Sequence, residues 1–247
     1  MPILHDFGYF KPKTIPEAVR LLSQHKKAKV LAGGTDIINK IKEEIAVPEA
    51  LIDIKGLTPL KKIEFKNNKL SIGALVTFSE IIESATIKKR LPVLIEVART
   101  VGSVGIRNRA TMVGNICSAV PCMDSGPLLS AYDSTIIVRG LKGQRRIPIS
   151  EWFCGPRKTS LKAGELVTAV EIPLPKKHAG CYAKLGRYSG ADLAQASVLV
   201  LAIAGEGFRV AFGSVGPTPI RALEIENLLG KKVLALGRLT KQSQTDK

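Results

Sequence analysis

The stretch that most constrains this chain of 247 residues runs from Val101 to Asp133 and shows almost no helical or strand periodicity. It is rich in glycines, small hydroxyl residues and carboxylates, which an ordinary core segment does not need. We therefore predict a ligand-binding loop in which Gly114 and Asn115 bring backbone N–H groups close to a ligand. Asp124 and Asp133 are predicted acceptors for ligand hydroxyls.

The end of this stretch indicates an anionic ligand. Ser125-Gly126-Pro127 is typical of a helix start, with Ser125 as the N-cap and a proline in the first turn. The N-terminus of a helix carries a positive partial charge, which favours a bound anion.

A second glycine-containing segment lies upstream. Lys29 to Leu31 is predicted to be a short strand, Gly33-Gly34 a turn, and the residues from Ile37 onward a helix. This order suits phosphate binding, although a plain tight turn would explain the segment taken alone. Neither GxGxxG nor GxxxxGK[ST] is present, so the sequence supports neither a Rossmann nor a P-loop site.

Composition excludes several other classes of protein. Hydrophobic residues make up 45% and charged residues 23%, as in ordinary globular proteins. The net charge of +16 is scattered from Lys11 to Lys247 and aromatic residues are only 5%, so we predict no nucleic-acid binding. A solvated basic surface, or one that faces acidic partner subunits, explains the charge better.

No membrane span, metal site or catalytic centre is predicted. The longest apolar run, Ala196 to Ala204, is too short to cross a bilayer, and Met1 to Phe10 has no signal-peptide pattern, so we expect a cytoplasmic protein. The four cysteines include no CxxC pair and the chain has only three histidines. No nucleophile or acid–base pair stands out.

The remaining elements follow from local patterns. Capping boxes are predicted at Thr14/Glu17 and Thr77/Glu80, and Trp152 is predicted to pack in a core. A hairpin is predicted to turn at Asn67-Asn68, and a second one at the basic turn Lys142 to Arg145. A strand is predicted over Glu165 to Pro173 and a linker over Pro173 to His178. Beyond the linker, strands are predicted over Cys181 to Leu185, Val198 to Ala204 and Phe208 to Phe212. A helix is predicted over Arg221 to Leu229, stopped by Gly230.

Three segments together resemble a known family. Ile106 to Asp133 (IRNRATMVGNICSAVPCMDSGPLLSAYD) is similar to the second flavin-binding segment of the FAD subunits of the xanthine dehydrogenase and carbon monoxide dehydrogenase family, the molybdenum hydroxylases. Leu31 to Asp36 (LAGGTD) is similar to the first segment, and Gly213 to Ala222 (GSVGPTPIRA) to part of the C-terminal domain. The chain departs from the family at Val113, where a glycine is common, and at Tyr188, where a basic residue is frequent.

The resemblance implies an α+β fold of the PCMH/vanillyl-alcohol-oxidase type. Residues 1–175 would form the FAD-binding domain, as two α/β subdomains of about 1–55 and 56–175 that hold an extended FAD between them. Residues 178–247 would form a small C-terminal domain with an antiparallel sheet, which we expect to be abbreviated.

The resemblance also implies the cofactor contacts. Ala32 to Asp36 would bind the FAD pyrophosphate together with Thr111, Gly114 and Asn115, whereas Leu166 and Lys184 would lie along the isoalloxazine. The complete set of predicted FAD-binding residues is Lys29, Val30, Leu31, Ala32, Gly33, Gly34, Thr35, Asp36, Ile37, Val101, Thr111, Gly114, Asn115, Ser118, Asp124, Leu166 and Lys184. No catalytic residue and no metal ligand is expected, because the flavin supplies the chemistry.

The implied function is electron transfer in a molybdenum hydroxylase. A large subunit would hold the molybdenum cofactor and a small one two [2Fe-2S] clusters, in a dimer of heterotrimers. Electrons would pass from the clusters through FAD to NAD or another acceptor. A stand-alone FAD-dependent oxidoreductase of the same fold and a basic adaptor without cofactor are the alternatives.

Overall fold

The computed structural model describes residues 3–188 and 190–230. Its helices are α1 (Ile15–Gln24), α2 (Ile37–Lys42), α3 (Phe78–Glu83), α4 (Ala85–Arg90), α5 (Pro92–Arg99), α6 (Val104–Arg107), α7 (Met112–Ser118) and α8 (Ser125–Ala131). Its strands are β1 (Gly8–Phe10), β2 (Lys29–Leu31), β3 (Ala50–Asp53), β4 (Ile63–Lys66), β5 (Lys69–Gly73), β6 (Thr135–Gly140), β7 (Gly143–Pro148), β8 (Phe153–Gly155), β9 (Lys158–Thr159), β10 (Leu166–Pro173), β11 (His178–Leu185), β12 (Ala196–Ile203), β13 (Gly207–Gly213) and β14 (Ile220–Arg221). Residues 223–230 are also helical. None of the helices in these two ranges is both long and apolar enough to cross a membrane.

The first 173 residues contain a small parallel sheet and a larger antiparallel one. The parallel sheet has the order β1-β3-β2, and α1 and α2 provide the crossovers that parallel neighbours require. The antiparallel sheet has the order β4-β5-β10-β6-β7, with β10 at its centre. The predicted α+β class is therefore confirmed.

A third sheet, antiparallel in the order β11-β12-β13-β14, packs on α5 and α8. Two glycines allow α8 and this sheet to pack closely. A Cβ on Gly126 would lie 2.6 Å from Pro219, and a Cβ on Gly213 would lie 2.8 Å from Pro127. Asp133, at the end of α8, accepts hydrogen bonds from Arg209 of β13 at 2.7 Å and from an arginine of β14 at 3.0 Å. The Asp133 carboxylate therefore joins the helix to the sheet, and its service to a ligand stays a prediction.

Local turn and cap chemistry predicted several features correctly. Asn67 and Asn68 have φ values of 52° and 56°, the left-handed conformation that a two-residue type I′ hairpin requires. Thr77 and Glu80 form the predicted capping box of α3. Trp152 is fully buried, and its Nε1 donates to the Ile116 carbonyl at 3.1 Å.

Three local predictions are wrong in detail. Glu17 accepts from the N–H of Lys13 instead of that of Thr14, so Thr14 caps α1 without a reciprocal bond. The β6–β7 hairpin turns at residues 141 and 142, because Gly140 pairs with Gly143. Residue 230 is still helical, so the predicted stop at Gly230 is not found, and the end of this helix lies outside the described residues.

The predicted loop is wrong over residues 104–118, which contain α6 and α7, whereas the helix predicted to start at Ser125-Gly126-Pro127 is confirmed as α8. Each of these helices has four to seven residues, and every residue of α8 is buried. Helices as short as α6 and α7 have too few turns to show an amphipathic pattern in a sequence. Asp124 is the N-cap of α8 instead of Ser125, whose hydroxyl donates to the Asn115 side chain.

Candidate functional site

The first glycine-containing segment connects β2 to α2. Gly34 has a φ of +82°, which a residue with a side chain rarely adopts. Among the described residues, none accepts a hydrogen bond from the backbone N–H groups of Gly33, Gly34, Thr35 or Asp36. Consecutive unpaired N–H groups in a turn that opens a helix form an arrangement suited to an anion.

The second segment begins with a capped helix. The Thr111 hydroxyl accepts from the N–H of Gly114 at 2.9 Å, and the Thr111 carbonyl accepts from the N–H of Asn115 at 2.9 Å. The prediction that these two N–H groups are open to a ligand is therefore wrong. The Thr111 hydroxyl keeps its own proton, which can still be donated.

The two segments lie directly against each other. A Cβ on Gly33 would lie only 2.0 Å from the carbonyl oxygen of Arg109, and Nε of Arg109 donates to the Gly33 carbonyl at 3.3 Å. The Ser118 hydroxyl donates to Asp36 at 2.8 Å, across 82 positions of sequence. The fold thus joins the two motifs that the sequence singled out.

A cleft with a volume of about 690 Å³ opens where these segments meet. This is within the range of small-molecule and cofactor sites, about 300–1,000 Å³. The predicted FAD-binding residues that line it are Lys29, Val30, Ala32, Gly33, Gly34, Thr35, Asp36, Ile37, Thr111, Gly114, Asn115, Ser118 and Leu166.

The cleft carries an excess of positive charge. Its lining includes the basic side chains of Lys26, Lys29, Lys40, Arg157 and Lys162. Its carboxylates are Asp36 and Glu165, and both are paired: Lys40 bonds Asp36 at 2.6 Å, and Arg145 bonds Glu165 at 2.7 Å. The Arg145 guanidinium also lowers the pKa of Glu165. The remaining cations make the cleft attractive to phosphate groups.

The cleft offers no obvious nucleophile. Burial raises the pKa of the Cys117 thiol to about 12, so this thiol stays protonated at neutral pH. Within the ranges described, no three His, Cys, Asp or Glu side chains are grouped as metal ligands. The donors present suit binding more than acid–base or metal chemistry.

Four predicted residues do not line the cleft: Leu31, Val101, Asp124 and Lys184. Lys184 donates from Nζ to Asp124 at 3.0 Å and to the Thr100 carbonyl at 2.9 Å, and the Tyr182 hydroxyl also donates to Asp124. Burial raises the pKa of Asp124 in spite of the opposing effect of the Lys184 ammonium. This buried ion pair links β11 to α8.

Sequence reasoning missed several cleft residues. Lys40 could have been found, because it lies four positions after Asp36 on a helix, the spacing of an ion pair. Arg157 and residues 161–164 come from a distant part of the chain and carry no motif. Arg157 has a φ of +58° and is held by a 2.7 Å hydrogen bond from its N–H to the Ala119 carbonyl, a tertiary contact that no local pattern reveals.

A family model and a relative each match most of the chain. Residues 5–175 match the family model described as the FAD binding domain in molybdopterin dehydrogenase. The glyceraldehyde dehydrogenase medium chain of Sulfolobus acidocaldarius is 34% identical over 233 residues, which is 92% of this chain and 83% of the relative.

Solved structures show the same similarity. Reconstituted CO dehydrogenase from Oligotropha carboxidovorans matches with a TM-score of 0.88 at 30% identity, covering 91% of this chain and 80% of that one. Carbon monoxide dehydrogenase from Hydrogenophaga pseudoflava matches with a TM-score of 0.84 at 33% identity, covering 88% and 78%.

Proposed function

The chain belongs to the family of FAD-binding subunits of molybdopterin dehydrogenases, the molybdenum hydroxylases, and we propose that it is the FAD-carrying electron-transfer subunit of such a complex. In this proposal it receives electrons from [2Fe-2S] clusters of a partner subunit and passes them to NAD or another acceptor. Two relatives are themselves named as medium chains, of a glyceraldehyde dehydrogenase and of a carbon monoxide dehydrogenase.

The observation that carries the proposal is the contact between the two glycine-containing segments. Gly33 can pack on the Arg109 carbonyl only because it has no Cβ, and this contact keeps the unpaired N–H groups of residues 33–36 at the cleft. We assign these N–H groups, with Lys29, Lys40 and the Thr111 hydroxyl, to the FAD pyrophosphate. The donor set fits that group, because backbone N–H groups and cations are the usual partners of phosphate.

Other residues have assigned binding roles. Leu166 lines the cleft and supplies an apolar wall, whereas the Ser118 hydroxyl holds Asp36 in place. Contact with the cofactor stays a prediction for the four residues that do not line the cleft, Leu31, Val101, Asp124 and Lys184. When bound, FAD supplies the redox chemistry, since it can accept electrons singly and release them in pairs.

We propose a large molybdenum-cofactor subunit and a small [2Fe-2S] subunit as partners, in a dimer of heterotrimers. We also propose that residues 1–175 form the FAD-binding domain, which the family match over residues 5–175 supports. Residues 178–247 would form a second domain. The cytoplasmic location stays a prediction, and the free thiols of Cys117, Cys122, Cys154 and Cys181 are consistent with a reducing compartment.

The test is cofactor retention. The purified chain is incubated with FAD and desalted, its absorbance spectrum is recorded, and the released cofactor is identified by mass. We expect a bound flavin spectrum and the mass of FAD. A colourless protein that is nonetheless folded by circular dichroism would contradict the proposal.

Co-purification tests the assembly. A tagged chain expressed with the neighbouring genes of its source should retain one large chain containing molybdenum and one small chain containing iron and sulfide. Retention of FAD with turnover of a substrate by the isolated chain would instead support a stand-alone oxidoreductase.

A further inference from the structure

A second cavity lies on a different part of the surface from the FAD cleft. It has a volume of about 320 Å³ and opens between the 174–180 segment and the helices α4 and α5. None of its lining residues lines the cleft. A hydrogen bond from the Leu174 N–H to the Asn68 carbonyl at 2.8 Å fixes one side of the cavity, and the close packing of Gly180 on Val93 fixes another.

The lining of this second cavity is strongly basic. Its charged or titratable side chains are Lys89, Arg90, Tyr132, Lys176, Lys177 and His178, and none of its lining residues is Asp or Glu. The Arg90 guanidinium is held over the Phe65 ring at 4.5 Å. Nδ1 of His178 donates to the Pro175 carbonyl at 2.7 Å, so this nitrogen carries a proton. Like charges gathered without counter-charges favour an anionic ligand.

Tyr132 provides an independent indication of a ligand. Tyr132 lines the second cavity and is only 1% exposed, and its buried hydroxyl has no hydrogen-bond partner among the described residues. The Tyr132 ring packs edge-to-face on the His178 ring, with 5.5 Å between their centroids. A buried hydroxyl without a partner is costly, and a bound acceptor would remove that cost.

The start of α5 adds to this environment. Pro92 and Val93, its first two residues, line the second cavity. The N-cap, Leu91, cannot supply a side-chain acceptor, and no side-chain cap is found. Pro92 has no N–H and the Leu94 N–H donates to the Leu91 carbonyl at 3.0 Å, so it is the Val93 N–H that adds positive partial charge at the cavity.

We propose that the second cavity binds a phosphate group, either as free inorganic phosphate or as part of a small phosphate ester. A phosphate carries nearly two negative charges and several strong acceptor oxygens, so it can bond Tyr132 and several cations at once. A single carboxylate would leave more of the surrounding positive charge unpaired. This inference does not depend on FAD binding, because the two sites share no residue.

The test is isothermal titration calorimetry on the full chain saturated with FAD, in a buffer free of phosphate, with inorganic phosphate and AMP titrated separately. We expect saturable binding of at least one of them, with the flavin spectrum unchanged. Tighter binding of AMP would identify a phosphate ester as the source, and tighter binding of inorganic phosphate would identify the free ion.

Two variants and a matched control locate the binding. Tyr132→Phe and Lys89→Gln should each weaken it by about tenfold, the usual value of one bond to a charged group. Lys88→Gln should bind as the parent does, because Lys88 is the exposed neighbour of Lys89 on α4 and does not line the second cavity. Equal binding by the parent and the first two variants would overturn the proposal, as would the absence of saturable binding at millimolar ligand.

Thermal unfolding separates loss of the ligand from loss of the fold. Without phosphate, Tyr132→Phe should melt no lower than the parent, since it removes an unsatisfied buried hydroxyl. With phosphate, the parent should gain in melting temperature and Tyr132→Phe should gain little. An equal gain in both proteins would contradict the assigned role of Tyr132.

Discussion

Gly33 lies where the two segments of the proposed FAD cleft meet. We expect Gly33→Ala to lower the free energy of unfolding by about 2–4 kcal/mol, because its Cβ would lie 2.0 Å from the backbone oxygen of Arg109. Separation of the two segments should also abolish FAD retention. Urea unfolding followed by circular dichroism measures the first effect, and absorbance after desalting the second.

Gly56→Ala is the matched control for Gly33→Ala. No atom lies within 4 Å of a Cβ at this position and its φ is not left-handed, so stability and FAD binding should hardly change. If Gly33→Ala retained FAD as well as Gly56→Ala does, the assignment of the Gly33 segment to the pyrophosphate would be wrong.

The ion pair of Asp124 and Lys184 predicts a pH dependence. Lys184→Met leaves the Asp124 carboxylate buried without its cation, which should cost about 3–5 kcal/mol at pH 7. The native pKa of Asp124 is already raised by burial and should rise further. Because the pKa of Asp124 is higher in the folded than in the unfolded chain, the protonated carboxyl stabilises the fold fully below its unfolded pKa of 3.8. This contribution is lost as the pH rises through the pKa of the folded state.

Lys184→Met should therefore lose the most stability near neutral pH and recover part of it in acid, as measured by urea unfolding at several pH values. The double variant Asp124→Asn/Lys184→Met removes the unpaired charge, so the extra pH dependence should disappear. A pH-independent loss in Lys184→Met would show that the ammonium does not offset the Asp124 charge.

At the scale of elements, the sequence revealed what is locally encoded. The Asn67-Asn68 turn and the Thr77 cap were predictable, because the residue type itself favours the observed backbone conformation. The helices α6 and α7 were not, since they are only four and seven residues long. Their stability comes from tertiary packing, which a single sequence does not display.

The candidate site also consists of parts that the local sequence predicts and parts that only the fold brings together. The Gly33-Gly34 turn and the Thr111 segment were recognisable by composition and by resemblance to a family. Arg157 was not, because it reaches the cleft only through the fold and through its hydrogen bond to Ala119. The hydrogen bond from the Gly114 N–H to the Thr111 hydroxyl was not predictable either, because it depends on where α7 starts.

The cap of α7 gives a prediction at this scale. Thr111→Ala removes the acceptor of the Gly114 N–H and should cost about 1 kcal/mol of stability. It also removes a hydroxyl from the FAD cleft, so the dissociation constant for FAD should rise. Fluorescence titration with FAD measures this constant.

Thr111→Ser keeps both the cap and the hydroxyl, and should therefore behave nearly as the parent in both measurements. If Thr111→Ala and Thr111→Ser bound FAD equally well, the Thr111 hydroxyl would not be a cofactor contact.

At the scale of the whole molecule, side chains tie the C-terminal sheet to the part of the chain that forms the cleft. Arg209 and Arg221 bond Asp133, and Lys184 bonds Asp124, so β11, β13 and β14 are all linked to α8. Tyr132 and His178, which line the second cavity, lie on the two sides of this junction, so changes at these links should affect that cavity.

The net charge of +16 predicts how the molecule meets its partners. If the partner subunits present acidic surfaces, long-range attraction should accelerate association, and salt should screen it. We expect the association rate constant of the FAD-loaded chain with the large and small subunits to fall as ionic strength rises from about 0.05 to 0.5 M, where the Debye length shortens severalfold. The dissociation rate constant should change less, because contacts within a formed interface are screened less. Stopped-flow measurement of flavin fluorescence on mixing provides both rate constants. An association rate that is unaffected by salt would show that the basic surface faces solvent instead of the partners.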